Sequence, residues 1–364
     1  MDQNALRILD ANFNRAREGL RVLEEHARRV LEDSVLCERA KRIRHDLAET
    51  VSTFDPEGLL SARDIDGDAG TEVRTETEQS RRDTTDVARA AAKRLTESLR
   101  CIEEYGKLVS PDASRRVERL RYEAYALEQA VFIGGPRRAK LRRARLHVLI
   151  TEALCEGPWL AVCRKALRGG AEVLQLREKE LSDVEWLTRA RRLRTLTREA
   201  GALLIINDRP DIALLSEADG VHLGHRDLSI ADARRIVGIH MLIGRSTHSK
   251  RETEAALDES PDYIAVGPMF VSDTKPDAEV RGPELLREVA ALTADRTDPA
   301  LPLVAIGGIT PENAADVLKA AEARTPVQLA VCQGIIARLD PETAARSLKA
   351  CYSGRTPGSV VGEP

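Results

Sequence analysis

Two carboxylates in the second half of the chain stand just after short apolar runs, where a strand end would hand its side chains to a ligand. Asp208 belongs to Asn207-Asp208-Arg209-Pro210, after Leu203–Ile206. Asp227 belongs to His222-Leu223-Gly224-His225-Arg226-Asp227-Leu228, at the end of the next run. Such a pair can share a hard cation, with phosphate oxygens and water completing its octahedron. Each has a plainer reading when taken singly. Asn207 and Asp208 can cap a helix opened by Pro210, and Asp227 can be a solvated loop residue. His222 and His225 add imidazoles, but His222 reads as a packed strand residue, which leaves zinc or iron poorly supported.

Cations, hydroxyls and glycines follow the neighbouring runs. In Gln175-Leu176-Arg177-Glu178-Lys179, alternation sends Gln175, Arg177 and Lys179 to one side and Leu176 to the other. Arg offers a planar fork and Lys a movable point charge, a combination suited to a polyanion. A lone R-x-K pair is more simply a solvated strand end. Gly244-Arg245-Ser246-Thr247-His248-Ser249 brings hydroxyls that either meet a ligand or cap a helix. Gly267-Pro268-Met269-Phe270-Val271-Ser272-Asp273-Thr274-Lys275 has the composition of a loop carrying another cation. In Ala305-Ile306-Gly307-Gly308-Ile309-Thr310-Pro311, two glycines let backbone N–H groups approach a phosphate at a helix start, or simply form a turn. Six signals at successive run ends share no single plain explanation.

The runs themselves define what must position these residues. Leu146–Ile150, Glu172–Leu176, Leu203–Ile206, Gly220–Leu223, Met241–Ile243, Tyr263–Val266, Leu303–Ile306 and Val327–Val331 are separated by gaps long enough for helices. About eight βα units in this length predict an α/β fold closed as a (β/α)8 TIM barrel, with its active site at the carboxyl ends of the strands. An open doubly wound sheet is the alternative, but no G-x-G-x-x-G follows the first run.

The first 132 residues have helical period instead, with Leu6, Leu9, Phe13, Ala16, Leu20, Leu23 and Val30 on one face. The segment repeats itself. Arg15-x-x-Glu18-x-Leu20-Arg21-Val22-Leu23-Glu24-Glu25 returns as Arg94-x-x-Glu97-x-Leu99-Arg100-Cys101-Ile102-Glu103-Glu104, and Arg39–Arg44 returns as Arg116–Arg121. Two related helical hairpins forming a bundle are expected, joined by a loop at Arg63–Thr71 that carries Asp64, Asp66 and Asp68. The expected organisation is a helical domain over 1–133, a linker over 134–144, a barrel over 145–353 and a disordered tail over 354–364.

Composition narrows the function class. At 364 residues the chain exceeds one ordinary core, and aromatics are only 3%, so Leu, Val, Ile and Ala must fill its cores. A net charge of -3 disfavours nucleic acid or an anionic membrane as partner. No apolar run reaches membrane-spanning length, and Met1-Asp2-Gln3-Asn4 does not read as a signal peptide. Cys37, Cys101, Cys155, Cys163, Cys332 and Cys351 form no C-x-x-C pair, so reduced thiols and a cytoplasmic location are expected.

Residues 145–352 resemble thiamine-phosphate synthase. The resemblance rests on Gln175–Lys179, Ile206–Arg209, Gly220–Gly224 with Asp227, Ser246-Thr247-His248, Gly267–Phe270 with Thr274-Lys275, and Ile306–Ile309. It implies a transferase that joins hydroxymethylpyrimidine diphosphate to hydroxyethylthiazole phosphate and releases pyrophosphate. Gln175 would read the pyrimidine and Ser246 would contact it. Arg177, Lys179, Asn207 and Lys275 would hold the diphosphate, with Glu178 beside them. Asp208 and Asp227 would bind Mg²⁺, and Arg177, Lys179, Lys275 and Ser246 would carry the catalytic work. Ser272, Asp273, Thr274 and the Gly308 amide would receive the thiazole phosphate, together with Cys332 and Gln333. Here the chain departs from the family: Val331-Cys332-Gln333-Gly334 replaces the usual small hydroxyl residue. The amino-terminal bundle resembles an accessory domain associated with hydroxymethylpyrimidine-phosphate kinase activity, although it has no G-x-x-x-x-G-K-[ST] loop. Its repeated Arg/Glu face either serves phosphate and Mg²⁺ or is a salt-bridged surface. The competing readings are a thiazole tautomerase on the same barrel and a non-catalytic ligand sensor. Small-molecule partners are expected in every case, and a homo-oligomer is compatible with the sequence.

Overall fold

Helical period in the first half produces a bundle because one stripe of each helix must leave water. The computed structural model describes residues 2–63, 80–272, 279–296, 301–320 and 327–352. The chain divides into two units, Met1–Pro136 and Arg137–Pro364.

In the first unit, α1 (Gln3–Arg29), α2 (Ser34–Val51), α4 (Thr84–Gly106) and α5 (Pro111–Gln129) pack pairwise, and α3 (Pro56–Ser61) lies against α1. Asp2, Asp33, Asp83 and Ser110 cap the four long helices by accepting backbone N–H bonds, which satisfies donors the helix leaves open. Leu6, Leu9, Phe13, Ala16, Leu20 and Leu23 are buried as the period predicts. Val30 falls off the stripe at the helix end, and Ala27 and Leu31 take its place. Gly19 permits close approach of α1 to α4: a Cβ there would stand 3.0 Å from the Ala91 carbonyl.

The repeat survives as a pair of ion-pair clusters. Glu24 takes Arg21 at 3.0 Å and Arg44 at 3.1 Å, and Glu103 takes Arg100 at 2.6 Å and Arg121 at 2.7 Å. Both glutamates are buried, and a buried carboxylate is tolerable only when paired in this way. These members of the Arg/Glu face therefore hold helices together. The loop carrying Asp64, Asp66 and Asp68 lies outside the described residues.

The run over 134–144, read as a linker, is largely helical. A π-helical turn (Ala130–Gly134) continues α5 into α6 (Gly135–Arg143). Gly135 has helical dihedrals and no side chain where a Cβ would meet Leu31 Cδ1 at 2.6 Å. Pro136 falls in the first turn, where a missing N–H is harmless.

The second unit is a closed parallel barrel whose strand order is the chain order. Its strands are β1 (Leu146–Ile150), β2 (Val173–Leu176), β3 (Leu203–Asn207) and β4 (Gly220–Leu223), then β5 (Leu242–Thr247), β6 (Tyr263–Val266), β7 (Leu303–Ile306) and β8 (Val327–Val331). The helices between and after them are α7 (Trp159–Arg168), α8 (Asp183–Glu199), α9 (Pro210–Leu215), α10 (Ile230–Val237) and α11 (Lys250–Asp258). They continue with α12 (Gly282–Arg296), α13 (Ala314–Ala320), α14 (Gln333–Ile336) and α15 (Pro341–Ala350). Strand β5 runs on past the apolar Leu242-Ile243, because Arg245, Ser246 and Thr247 pair with β6.

Alternation divides the barrel's apolar residues into two cores. Leu174, Leu176, Leu204, Ile206, Val221 and Ile243 pack outward with the helices, whereas Val173, Leu203, Ile205, Leu242, Tyr263 and Ala265 fill the interior. Polar groups inside are paired. Gln328 donates to the Leu141 carbonyl at 2.5 Å, so its oxygen accepts from His147 Nε2 at 2.5 Å. Burial holds that imidazole neutral, its pKa lowered to about 4.

Candidate active site

The described residues among those singled out above lie at or just beyond the carboxyl ends of the strands. Gln175 is a buried interior residue of β2, Arg177 is half-buried just beyond it, and Lys179 is exposed at the rim. The Arg177 backbone is held on both sides. Its N–H donates to the Ile150 carbonyl at 2.8 Å, and its carbonyl accepts from Thr151 Oγ1 at 2.6 Å. Glu178 is engaged away from the mouth: its carboxylate accepts from the Glu152 amide at 2.9 Å and from Arg189 at 2.8 Å. It braces the loop after β1.

Asn207 ends β3 buried, and Asp208 follows it exposed. Asp208 adopts φ 63°, a left-handed backbone that costs a non-glycine residue free energy. Its N–H donates to the His222 carbonyl at 2.8 Å, which ties the ends of β3 and β4 together. Asp227 curls back over β4, with one carboxylate oxygen accepting from the Gly224 N–H at 2.6 Å. The Asp227 carboxylate and the Asp208 backbone are thus fixed at neighbouring strand ends. Among the described residues no group of three His, Cys, Asp or Glu side chains converges as a metal cage. Two oxygen donors without nitrogen or sulfur fit Mg²⁺ shared with phosphate and water, and do not fit a zinc site.

Ser246 is half-buried near the end of β5, with Oγ 2.8 Å from His222 Nε2. His222 is the packed strand residue expected, 5% exposed, and it also hydrogen-bonds. Its Nδ1 lies 3.0 Å from the hydroxyl of Tyr263, and the two rings stack at 5.5 Å. Tyr263 had no chemical signature in the sequence, being one aromatic in an apolar run. The available signal was Gly244, which stands opposite it on β5: a Cβ at Gly244 would lie 2.0 Å from the Tyr263 ring. His248 donates from Nδ1 to the Gly267 carbonyl at 2.6 Å and links the loops after β5 and β6.

On the far side, Gly307 and Gly308 take φ 105° and 62°. The loop after β6 presses against them, with Phe270 N–H donating to the Gly307 carbonyl at 3.0 Å. A Cβ at Gly308 would fall 2.4 Å from the Val271 carbonyl, so only glycine fits there. Ser272 is half-buried next to this turn. Asp273, Thr274 and Lys275 lie outside the described residues. Cys332 caps α14 and Gln333 opens that helix. Burial pushes the Cys332 thiol up to about 11 against the pull of Arg177. A neutral thiol is a weak donor where a hydroxyl is usual. Strands β2 and β8 both pair in parallel with β1, which brings their carboxyl ends to one mouth.

In the first unit a cavity of about 260 Å³ is lined by Asp10, Phe13, Asn14, Arg17, Leu59 and Arg63 among others. Arg63 forks onto Asp10 with two bonds of 2.8 Å.

The thiamine monophosphate synthase family model matches residues 146–332. The thiamine-phosphate synthase of Thermosynechococcus vestitus is 40% identical over 346 residues, 95% of this chain and 94% of its own. The chain belongs to the thiamine-phosphate synthase family. It is therefore a transferase of thiamine biosynthesis, acting on small molecules. The thiamine-phosphate synthase of Rhodopirellula baltica is also 40% identical, over 89% of this chain and 88% of its own. The solved thiamine phosphate pyrophosphorylase of Pyrococcus furiosus is 33% identical, with a TM-score of 0.52, covering 59% of this chain and 98% of that one. The ThiD2 family model matches residues 7–130, within the helical unit. Among the described residues no helix is long and apolar enough to cross a membrane.

Proposed function

We propose that the barrel joins 4-amino-2-methyl-5-(diphosphooxymethyl)pyrimidine to hydroxyethylthiazole phosphate in a Mg²⁺-dependent reaction. The observation that carries this reading is the pair Asp208 and Asp227, each held by backbone at consecutive strand ends. Both point to one divalent ion and the diphosphate it would neutralise. Bound there, Mg²⁺ would stabilise negative charge on the departing pyrophosphate.

The remaining work falls to the chain's own residues. Arg177, Lys179, Asn207 and Lys275 grip the diphosphate, so charge that grows as the C–O bond breaks meets fixed cations. The bonding pair leaves with pyrophosphate, and the pyrimidine methylene becomes a cation. Gln175 and Ser246 hold the ring in place while the thiazole nitrogen supplies the pair for the new C–N bond. Ser272, Asp273, Thr274 and the Gly308 amide position that second substrate by its phosphate, with Cys332 and Gln333 at the edge of the same subsite. No base is required, since the nucleophile carries no proton to lose. The close approach of two held reactants is itself a large contribution to the rate.

The helical unit is proposed to phosphorylate hydroxymethylpyrimidine phosphate, which would supply the barrel's diphosphate substrate. The match of the ThiD2 family model to residues 7–130 supports this. Pyrophosphate release by the intact chain tests the barrel reading. Release is expected only with both substrates and Mg²⁺, and to stop when the metal is chelated. Full activity in excess chelator would contradict the metal assignment.

A further inference from the structure

The helical unit keeps its bundle-holding charges in both halves of the repeat, but not the residues around its cavity. Arg21 and Glu24 return as Arg100 and Glu103, and each pair is made, at 3.0 Å and 2.6 Å. In the same register Asp10, Phe13, Asn14 and Arg17 of α1 stand where α4 has Arg89, Ala92, Lys93 and Thr96. Packing that both hairpins share does not account for residues found in one hairpin only. All four line the cavity between α1, α2 and α3.

The walls of that cavity have a defined chemistry. Phe13, Val51 and Leu59 give it an apolar floor. The Phe13 ring is set at 66° against Phe54, with centroids 5.3 Å apart. The Asp10 side chain is 14% exposed, and the Arg63 fork spans both of its oxygens. Asn14 Nδ2 donates to the Asp10 carbonyl at 3.0 Å and to Asp10 Oδ1 at 3.4 Å. A backbone carbonyl only accepts, so the amide nitrogen is the atom turned to it and the Asn14 oxygen is left as an acceptor. Asp10 and Asn14 thus offer acceptors beside the apolar floor. Three residues on from Asn14, on the same face of α1, Arg17 is exposed and makes no ion pair among the described residues.

Acceptors beside an apolar floor suit a flat ring that carries an amino group, and an uncommitted guanidinium suits a phosphate. The volume of about 260 Å³ falls below the range of about 300–1,000 Å³ for sites that take drug-sized molecules. It leaves room for one ring with small substituents and none for a nucleoside triphosphate. We propose that this cavity is the phosphoryl-acceptor site of the helical unit. A single amino-substituted ring lies against Phe13, its amino group donates to Asp10 and Asn14, and its phosphate meets Arg17. The inference rests on the reading of this unit as a kinase for hydroxymethylpyrimidine phosphate, which carries that ring and that charge.

Calorimetry with hydroxymethylpyrimidine monophosphate tests it, on the full chain with Mg²⁺ and a non-hydrolysable ATP analogue. Arg177→Ala and Asp208→Ala are built into every sample so that the barrel does not contribute. This parent should bind one equivalent. Arg17→Ala should weaken binding by about tenfold or more, the scale of a hydrogen bond to a charged group. Ala48→Trp adds an indole to the cavity from an exposed position of α2, and should abolish binding while the helical signal in circular dichroism is unchanged. Lys93→Ala and Thr96→Ala, at the matching positions of the other hairpin, should bind within about twofold of the parent. A parent that binds no monophosphate would overturn the proposal. So would Arg17→Ala or Ala48→Trp binding within about twofold of it, or Lys93→Ala losing as much as Arg17→Ala. ADP release by the chain with its barrel unaltered separates this inference from the kinase reading. ADP formed by Arg17→Ala with an unchanged KM for the monophosphate would keep the kinase and remove this site. Binding that follows the expected pattern without any ADP would sink the kinase and leave the site standing.

Discussion

At the scale of single residues, the decisive feature is that Asp208 is held in an unfavourable backbone conformation. A helix cap would sit in ordinary extended geometry, whereas Asp208 has φ 63° with its N–H bonded to the His222 carbonyl, and Arg209 takes the cap position of α9. Asp208→Ala and Asp227→Ala are each expected to lower kcat/KM by about 10²-fold or more and to weaken the response to Mg²⁺, in steady-state assays. Either variant keeping the full rate and metal response would remove that residue from the site. The sequence made these two carboxylates legible because acidic residues after consecutive apolar runs have few shared explanations. It did not reveal Tyr263, since an interior tyrosine and an exterior one look alike until the register places Gly244 opposite it. Glu178 lies between Arg177 and Lys179 in the alternation, and its carboxylate meets Arg189 and the Glu152 amide.

At the scale of elements, all eight strands were legible from apolar runs bounded by polar gaps. The longer β5 was not, because its last residues are polar and only pairing with β6 makes them strand. The helical stretch over 135–143 was missed because Gly-Gly-Pro normally breaks a helix. In this chain the glycine fits against Leu31 and the proline falls in the first turn. Two predictions belong to the barrel's interior. Gly244→Ala puts a methyl group into the Tyr263 ring and should cost about 1–3 kcal/mol of stability, read from the denaturant midpoint. An unchanged midpoint would mean that the ring does not occupy that space. His147, held near 4 in the folded chain against 6.5 when exposed, refuses a proton that the unfolded chain accepts. Stability should therefore fall as pH drops from 6.5 towards 4, with this residue contributing at most about 1.4 kcal/mol per pH unit. His147→Gln should flatten that part of the profile, and an unaltered slope would show that the imidazole is not buried neutral.

At the scale of the whole molecule, the chain pairs a helical unit that the ThiD2 family model matches over residues 7–130 with a synthase barrel. The helical repeat was legible as sequence, but which of its charges act on a ligand was not. Glu24 and Glu103 prove to be locked to arginines inside the bundle, and no spacing rule separates such pairs from a phosphate-binding face. If the helical unit is the proposed kinase, ATP and hydroxymethylpyrimidine phosphate should generate the barrel's substrate within the same chain. The most direct test of the central claim is a thiamine phosphate assay on the intact chain with Mg²⁺ and hydroxyethylthiazole phosphate. One arm receives the pyrimidine diphosphate, and the other receives the monophosphate with ATP. Product is expected in both arms, and in neither when the thiazole phosphate is omitted. Folded protein that forms no thiamine phosphate from the diphosphate and the thiazole phosphate would contradict the account.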